Sequence, residues 1–418
     1  MKGSPPSAPL VTQAKDIDER KVPKMRFPLR WPLVGLAALA AVAMVGLSAC
    51  QSQPSGSTGA GTAGGVKEVK IGFFGPLTGD SASDGTSAKN GAEMAVNEIN
   101  AANAIPGVKL TLVPYDDQNK SEQASSIAQK LIEQDKVAAV VDGSYSTPSR
   151  AAGPIFQRAK IPMIVAYAVH PEITKAGDYI FRIIYVGQIQ GQAMADYATK
   201  KLGYKSIAML NVDNDYGTSI AEGFSNTVKK NGGTVPVART YSIGQKDFAP
   251  LITAVKDANP DALYVVGYYA EASLIVQQAR AAGFTKPILS TDGVDSPQFP
   301  KLAGKDAEGV ILTTDFSRQD PRQKVQDFIK NYKAKYGGGT PDFLAASAYD
   351  CVEVLADAIK RGGTTPEQIK AALPATKIEG VAGNVSFDQN REVVKTIFLV
   401  KVQNGEFQYV DKYDPTAQ

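Results

Sequence analysis

The sequence predicts an α/β fold of two lobes, each a parallel-type sheet flanked by helices, joined by a hinge that the chain crosses several times. Three observations predict it. Short, continuously apolar runs alternate with amphipathic segments at the spacing of βαβ units. That alternation runs for about 120 residues and then restarts, which suits two sheets better than one oversized sheet. Two long helical patterns then return with too few strands between them for a third sheet. A length of 418 residues fits two medium domains.

The chain opens with residues 1–24, rich in proline and mixed in charge, which read as a disordered extension. Arg26 and Arg30 precede an uncharged run, Trp31 to Ala49, that ends in Leu47-Ser48-Ala49-Cys50. A basic flank, an apolar stretch and small residues before a cleavage point make a secretory signal. The ending resembles a bacterial lipobox, in which the Cys50 sulfur receives diacylglycerol and becomes the mature N-terminus. An uncleaved membrane-spanning helix is the competing reading, since a run of about 20 apolar residues spans a bilayer. In both cases the bulk of the chain lies outside the cytoplasm. Met25 offers a second start that leaves a signal of ordinary length. Residues 51–65 are almost wholly Ser, Gly, Thr, Ala, Gln and Pro, the composition of a flexible tether.

In the first run, strands are expected at 69–74, 110–114, 137–141 and 163–166, with helices at 85–100, 121–134 and 149–160. The strands are apolar throughout, as buried parallel strands are. In the second run, helix 190–202 leads to strand 206–211, helix 216–230, strand 234–241 and helix 247–259. Strand 262–266, helix 270–282 and strand 287–289 follow. Helices 323–336 and 344–360 are expected to cover the first lobe, and strands 396–402 and 406–409 to finish the second sheet. The resulting division is 1–49 for extension and signal and 50–65 for the tether. Lobe 1 takes 66–187 and 316–396, and lobe 2 takes 188–315 and 397–418. A chain that crosses a hinge this way leaves a cleft between lobes, where ligands bind.

Composition excludes several functions. Net charge is only +3, and much of that excess lies before residue 31, so the folded part lacks the basic surplus that phosphate neutralisation needs. Nucleic acid is not an expected partner. With two cysteines, Cys50 and Cys351, no internal disulfide is expected, and Cys351 in its apolar helical run reads as a packed core thiol. One histidine, His170, cannot make a multi-histidine metal centre. With no nucleophile motif nearby, it reads as a loop residue rather than a catalytic base or pH sensor. The glycines at 72, 75 and 79 do not fit a dinucleotide fingerprint, and Pro76 removes a backbone donor there. Asn211, Asp213, Asp215 and Glu222 fall at calcium-loop positions, but Tyr216 stands where the turn needs glycine. No cofactor, metal or catalytic residue is expected.

A series of segments in register carries a resemblance. They are Ile71-Gly72-Phe73-Phe74-Gly75-Pro76-Leu77-Thr78-Gly79, Asn90-Gly91-Ala92-Glu93-Met94-Ala95-Val96-Asn97-Glu98-Ile99-Asn100 and Tyr115-Asp116-Asp117-Gln118. Asp215-Tyr216-Gly217, Asp247-Phe248, Gly267-Tyr268-Tyr269, Gln278-Ala279-Arg280-Ala281-Ala282-Gly283 and Asp292-Gly293 follow in order. Over nearly all of 66–410 the chain resembles the leucine/isoleucine/valine-binding proteins, the periplasmic substrate-binding components of ABC importers. The resemblance implies a branched-chain-like amino acid or related small carboxylate as ligand and, as partners, a membrane permease with its ATPase. The competing readings are a ligand sensor of the same fold that reports to a receptor and, disfavoured by the missing nucleophile–base pair, an α/β enzyme.

In that family the first lobe holds the ligand's α-carboxylate and ammonium from loops after its later strands. Here the first such loop is Gly143-Ser144-Tyr145-Ser146-Thr147-Pro148, where Ser146 matches a carboxylate-binding hydroxyl and Thr147 adds a second donor. Pro148 suits a helix start, whose free amides attract anions; the competing reading is that these hydroxyls only cap the helix. The second loop, Ala166-Tyr167-Ala168-Val169-His170-Pro171, departs from the family. Tyr167 replaces a small residue, and Val169 lacks the usual hydroxyl, leaving a carbonyl and an N–H to bind. Asp84 stands where a tyrosine often packs on the ligand. From the second lobe, Asp292 matches an acid that accepts from the ligand ammonium, and Tyr216 and Tyr268 would cover the ligand. Tyr145 and Tyr269 are weaker candidates.

Overall fold

The computed structural model describes residues 66–416. The expected signal, the expected lipidation at Cys50 and the expected tether lie outside these described residues. Among the described residues no helix is long and apolar enough to cross a membrane.

The first sheet is built from β1 (Lys67–Gly75), β2 (Val108–Asp116), β3 (Ala139–Asp142), β4 (Met163–Val165) and β5 (Ile180–Arg182). All its pairings are parallel, in the order β2-β1-β3-β4-β5. Helices α1 (Ala82–Ala101), α2 (Ser121–Lys130) and α3 (Ser146–Ala159) make the crossovers. The inner strands are buried on both faces: Ile71, Phe73, Phe74, Val140, Val141, Ile164 and Val165 have no exposure. That is why their sequences are apolar without alternation.

After α4 (Gly187–Asp196) the chain enters the second sheet through β6 (Ile207–Val212), α5 (Asp215–Lys230), β7 (Ala238–Tyr241), α6 (Ala249–Asp257) and β8 (Ala262–Val266). It continues with α7 (Tyr269–Ala281), β9 (Ile288–Ser290), α8 (Gln298–Ala303) and β10 (Ile311–Thr314). The chain then leaves for α9 (Gln323–Lys335), α10 (Phe343–Gly362), α11 (Pro366–Ala372) and a small hairpin, β11 (Lys377–Gly380) and β12 (Gly383–Ser386). Helix α10 packs on α1, and α9 reaches α1 through Tyr336, whose hydroxyl donates to the Asn90 carbonyl at 2.8 Å. Strands β13 (Ile397–Gln403) and β14 (Glu406–Tyr413) then extend the second sheet antiparallel to β10. Its order is β14-β13-β10-β9-β8-β6-β7. The chain therefore passes between the sheets three times, after β5, after β10 and after β12. At two of these passages a buried pair ties the strands together: Lys395 Nζ lies 3.3 Å from Asp315 Oδ2, and Ser347 donates to the same carboxylate.

Each sheet reverses its strand order once, between β1 and β3 in the first and between β6 and β8 in the second. Loops leaving the carboxyl ends of such neighbours diverge and open a crevice. At the first reversal the two loops run backbone to backbone: a Cβ on Gly75 would sit 2.1 Å from the Gly143 carbonyl oxygen. Glycine is required by that approach.

The structure differs from the sequence expectation at several elements. Helix α3 starts at Ser146 instead of 149, because a proline at the third position costs nothing within a first turn. Strand β7 begins at Ala238, four residues later than expected. The expectation omitted β5, α8, β10, α11 and the β11–β12 hairpin. The omitted strands are three or four residues long, and β10 ends in two buried threonines, Thr313 and Thr314, that read as loop.

Candidate functional site

The loop after β1 is pinned by Asp116, whose Oδ1 accepts from the amides of Leu77 at 2.8 Å and Gln118 at 2.9 Å. Pinning this loop fixes the start of α1 and brings Asp84, in its first turn, to the mouth of the reversal between β1 and β3. Asp84 is 2% exposed. The Tyr145 hydroxyl, from the loop after β3, donates to its Oδ2 at 2.6 Å. Burial drives the Asp84 carboxyl well above the usual range against that hydrogen bond, and the negative charges of Asp342 and Asp295 push the same way.

Helix α3 begins at Ser146, so its first-turn amides have no carbonyl of their own helix to bond. Ser146 Oγ accepts from the amides of Val169 at 3.2 Å and His170 at 3.3 Å. The two first-lobe loops are thereby stitched together through one hydroxyl. The Tyr167 hydroxyl donates to the Gly143 carbonyl.

In the second lobe Asn214 caps α5, accepting from the Gly217 amide at 2.9 Å, while its Nδ2 donates to the Tyr268 hydroxyl at 3.1 Å. The Tyr216 hydroxyl lies 2.6 Å from Asp292 Oδ1, and it accepts from the Gly293 amide at 3.1 Å. A Cβ on Gly293 would stand 2.4 Å from the Gly267 carbonyl oxygen and 2.9 Å from the Tyr216 hydroxyl, so this tyrosine reaches Asp292 only past a glycine. Asp292 is 1% exposed, and burial pushes its carboxyl up to about 7 against hydrogen bonds from Gln190 and Tyr216.

The two walls meet. The rings of Tyr145 and Tyr268 lie 4.3 Å apart across the cleft, and Tyr268 stacks on Tyr216 at 5.1 Å. At the rim, Arg150 on α3 pairs with Asp215 on α5 at 2.6 Å, and the Tyr269 hydroxyl donates to the Asp80 carbonyl at 2.9 Å. The space left between the walls is about 10 Å³, room for about one water molecule.

Seven of the residues singled out from the sequence line this space: Asp84, Tyr145, Ser146, Tyr167, Tyr216, Tyr268 and Asp292. Two do not. Thr147 is one position further round α3 than Ser146 and is turned to solvent. Val169 is fully buried behind the cavity, with its amide on Ser146 and its carbonyl accepting from Gly187 at 2.8 Å. Four lining residues were missed: Ala168, Gly293, Phe343 and Leu344. Phe343 and Leu344 open α10 directly after its cap, Asp342, which accepts from the Ala345 amide at 3.0 Å. An N-cap followed by two large apolar residues marks a helix start but not a place in the cleft. His170 is a loop anchor: its Nδ1 accepts from the Glu172 amide, its carbonyl accepts from Arg182, and burial lowers its basicity. Cys351 has no exposure, and burial pushes its thiol up.

Comparison with known proteins agrees with this architecture. A model of the periplasmic binding protein family matches residues 68–406. The leucine-, isoleucine-, valine-, threonine- and alanine-binding protein of Pseudomonas aeruginosa is 33% identical over 335 residues, 79% of this chain and 89% of that protein. The crystal structure of the branched-chain amino acid transporter substrate-binding protein LivJ of Streptococcus pneumoniae, in complex with isoleucine, is 34% identical with a TM-score of 0.79. The match covers 84% of this chain and all of that one. A solute-binding protein from Rhodopseudomonas palustris in complex with 3,4-dihydroxybenzoic acid is 26% identical with a TM-score of 0.77, over 84% of this chain and 99% of that one. The fold, the cleft at the strand-order reversals and the extent of these matches lead to one conclusion: the chain belongs to the periplasmic binding protein family.

Proposed function

We propose that this protein captures an amino acid, branched-chain-like or a related small carboxylate, outside the cytoplasm and delivers it to an ABC permease driven by its ATPase. The observation that carries the reading is the juxtaposition across one cleft of Ser146 at the α3 N-terminus and Asp292 on the opposite wall. The first-turn amides and the Ser146 hydroxyl suit a carboxylate, and Asp292 suits an ammonium. Tyr145, Tyr216 and Tyr268 supply apolar cover with hydroxyl handles.

The lobes, 66–187 with 316–396 and 188–315 with 397–418, close about their three connections. Open and closed forms must be nearly balanced, so that ligand contacts of a few kcal/mol decide the population. Micromolar affinity corresponds to about 8 kcal/mol, within reach of one zwitterion site plus apolar cover. A lipid on Cys50 and the tether through residue 65 keep the cleft near the permease.

An aromatic carboxylate, as in the Rhodopseudomonas relative, is the second reading, favoured by the tyrosines around the cavity. It leaves Asp292 facing no cation, which a buried carboxylate tolerates poorly. A thermal-shift screen against amino acids, amides and benzoates tests the two readings, since a ligand specific for the folded state raises the melting temperature. Stabilisation by amino acids and not by benzoates is expected; the reverse overturns the proposal.

A further inference from the structure

The cavity is lined by a second carboxylate. Asp84 sits in the first turn of α1 and lines the same space as Asp292. Its Oδ2 accepts from Tyr145, whereas its Oδ1 is buried and accepts no hydrogen bond from the protein. Asp292 differs: Oδ1 has Tyr216 at 2.6 Å and Oδ2 faces the Tyr185 hydroxyl at 3.5 Å. A first-turn acid often serves its own helix, either in the dipole field or as a capping box. Neither role consumes the free oxygen here, since the N-cap Ser81 makes no side-chain cap and Asp84 Oδ1 bonds to no amide of that turn. The charges that reach Asp84 most strongly, Asp342 and Asp295, are both negative. Its Oδ1 is therefore a buried oxygen without a protein partner, on a residue that lines the cleft, a costly arrangement unless a partner arrives.

We propose that Asp84 Oδ1 receives a nitrogen donor on the ligand's tail, so that the solute carries, beyond its zwitterionic head, an ammonium or amide end in place of a purely aliphatic side chain. The inference rests on the zwitterion reading of the cleft and replaces the branched-chain-like tail of that reading with a nitrogen-bearing one. A site built to bond a buried N–H discriminates strongly against an analogue that lacks it, because the site's own polar atom is left unpaired.

The test is calorimetry on the intact purified protein with tails of matched length: leucine and norvaline against asparagine, 2,4-diaminobutyrate and ornithine, with aspartate and glutamate as acceptor tails. The expected result is at least tenfold tighter binding of a nitrogen-tailed ligand than of leucine or norvaline. Asp84→Leu should invert that ranking. Asp84→Asn, which keeps the shape and guards against a folding defect, should cost the ammonium tails at least tenfold and asparagine less. Melting temperatures without ligand confirm that both variants fold. The inference is overturned by a wild-type preference for leucine, by a preference for aspartate or glutamate, or by an Asp84→Asn variant with unchanged ranking. If leucine binds tightly and depends on Asp292 but not on Asp84, only this inference falls. If none of the set binds, the amino-acid reading falls with it.

Discussion

The two walls of the cleft use the same pair of side chains to opposite effect. On each wall a buried aspartate lies 2.6 Å from a tyrosine hydroxyl, Asp84 with Tyr145 and Asp292 with Tyr216. Asp292 is held from several sides, by Tyr216, Tyr185 and Gln190. Asp84 is held from one. The contrast teaches that the second wall is organised before any ligand arrives, while the first keeps an acceptor in reserve.

The largest expected effect on this comparison comes from Asp292→Asn. It should weaken ammonium-bearing ligands at least tenfold, about 1.4 kcal/mol or more, with little change in melting temperature, as calorimetry and thermal scans would reveal. Acid should act through the same group. With its carboxyl near 7, Asp292 holds a proton below that pH and must release it before accepting an ammonium. The dissociation constant should therefore be flat above pH 7 and rise up to about tenfold per unit below it. Asp292→Asn should remove this slope, and a slope that survives the substitution would assign the titration to another group.

The two tyrosines sharpen the contrast further. Tyr145→Phe strips Asp84 of its one protein donor and should cost about 1–3 kcal/mol of stability, the penalty of a buried group left unpaired. Tyr216→Phe leaves Asp292 with other donors, so its cost should be nearer 1 kcal/mol. Equal losses in chemical denaturation would mean that the walls are not organised differently. The smallest effect belongs to Arg150→Ala at the rim. Its pair with Asp215 is half exposed and is worth at most about 1 kcal/mol, so the affinity should fall no more than about fivefold, and less at high salt.

Much of this molecule was legible in its sequence. Strands such as Ala262–Val266, buried end to end, are apolar end to end. Long helices such as α10 announce themselves by periodicity. The three-residue β5 carries too little pattern to register, and the buried threonines of β10 satisfy themselves locally, Thr314 by donating to Asp295 at 2.6 Å. At the cleft, residues just after the ends of β1, β3, β6, β8 and β9 were within reach, because ligand sites gather at those ends. Phe343 and Leu344 were not: they arrive from a helix that returns from the far part of the chain, and their type alone says only core. Thr147 misled because sequence adjacency to Ser146 is about 100° of rotation on a helix. Some family motifs are architectural. Asp116 pins a loop, and Gln278 holds Phe248 by accepting from its amide at 2.8 Å.

The most direct measurement compares an amino acid that stabilises the protein with its deaminated analogue, on the wild type and on Asp292→Asn, by calorimetry at pH 8. An ammonium held by Asp292 predicts that deamination costs the wild type at least tenfold and the variant far less, so that the two losses do not add. Equal losses in both proteins, or none in the wild type, would contradict the assignment of Asp292 and with it the zwitterion reading of the cleft.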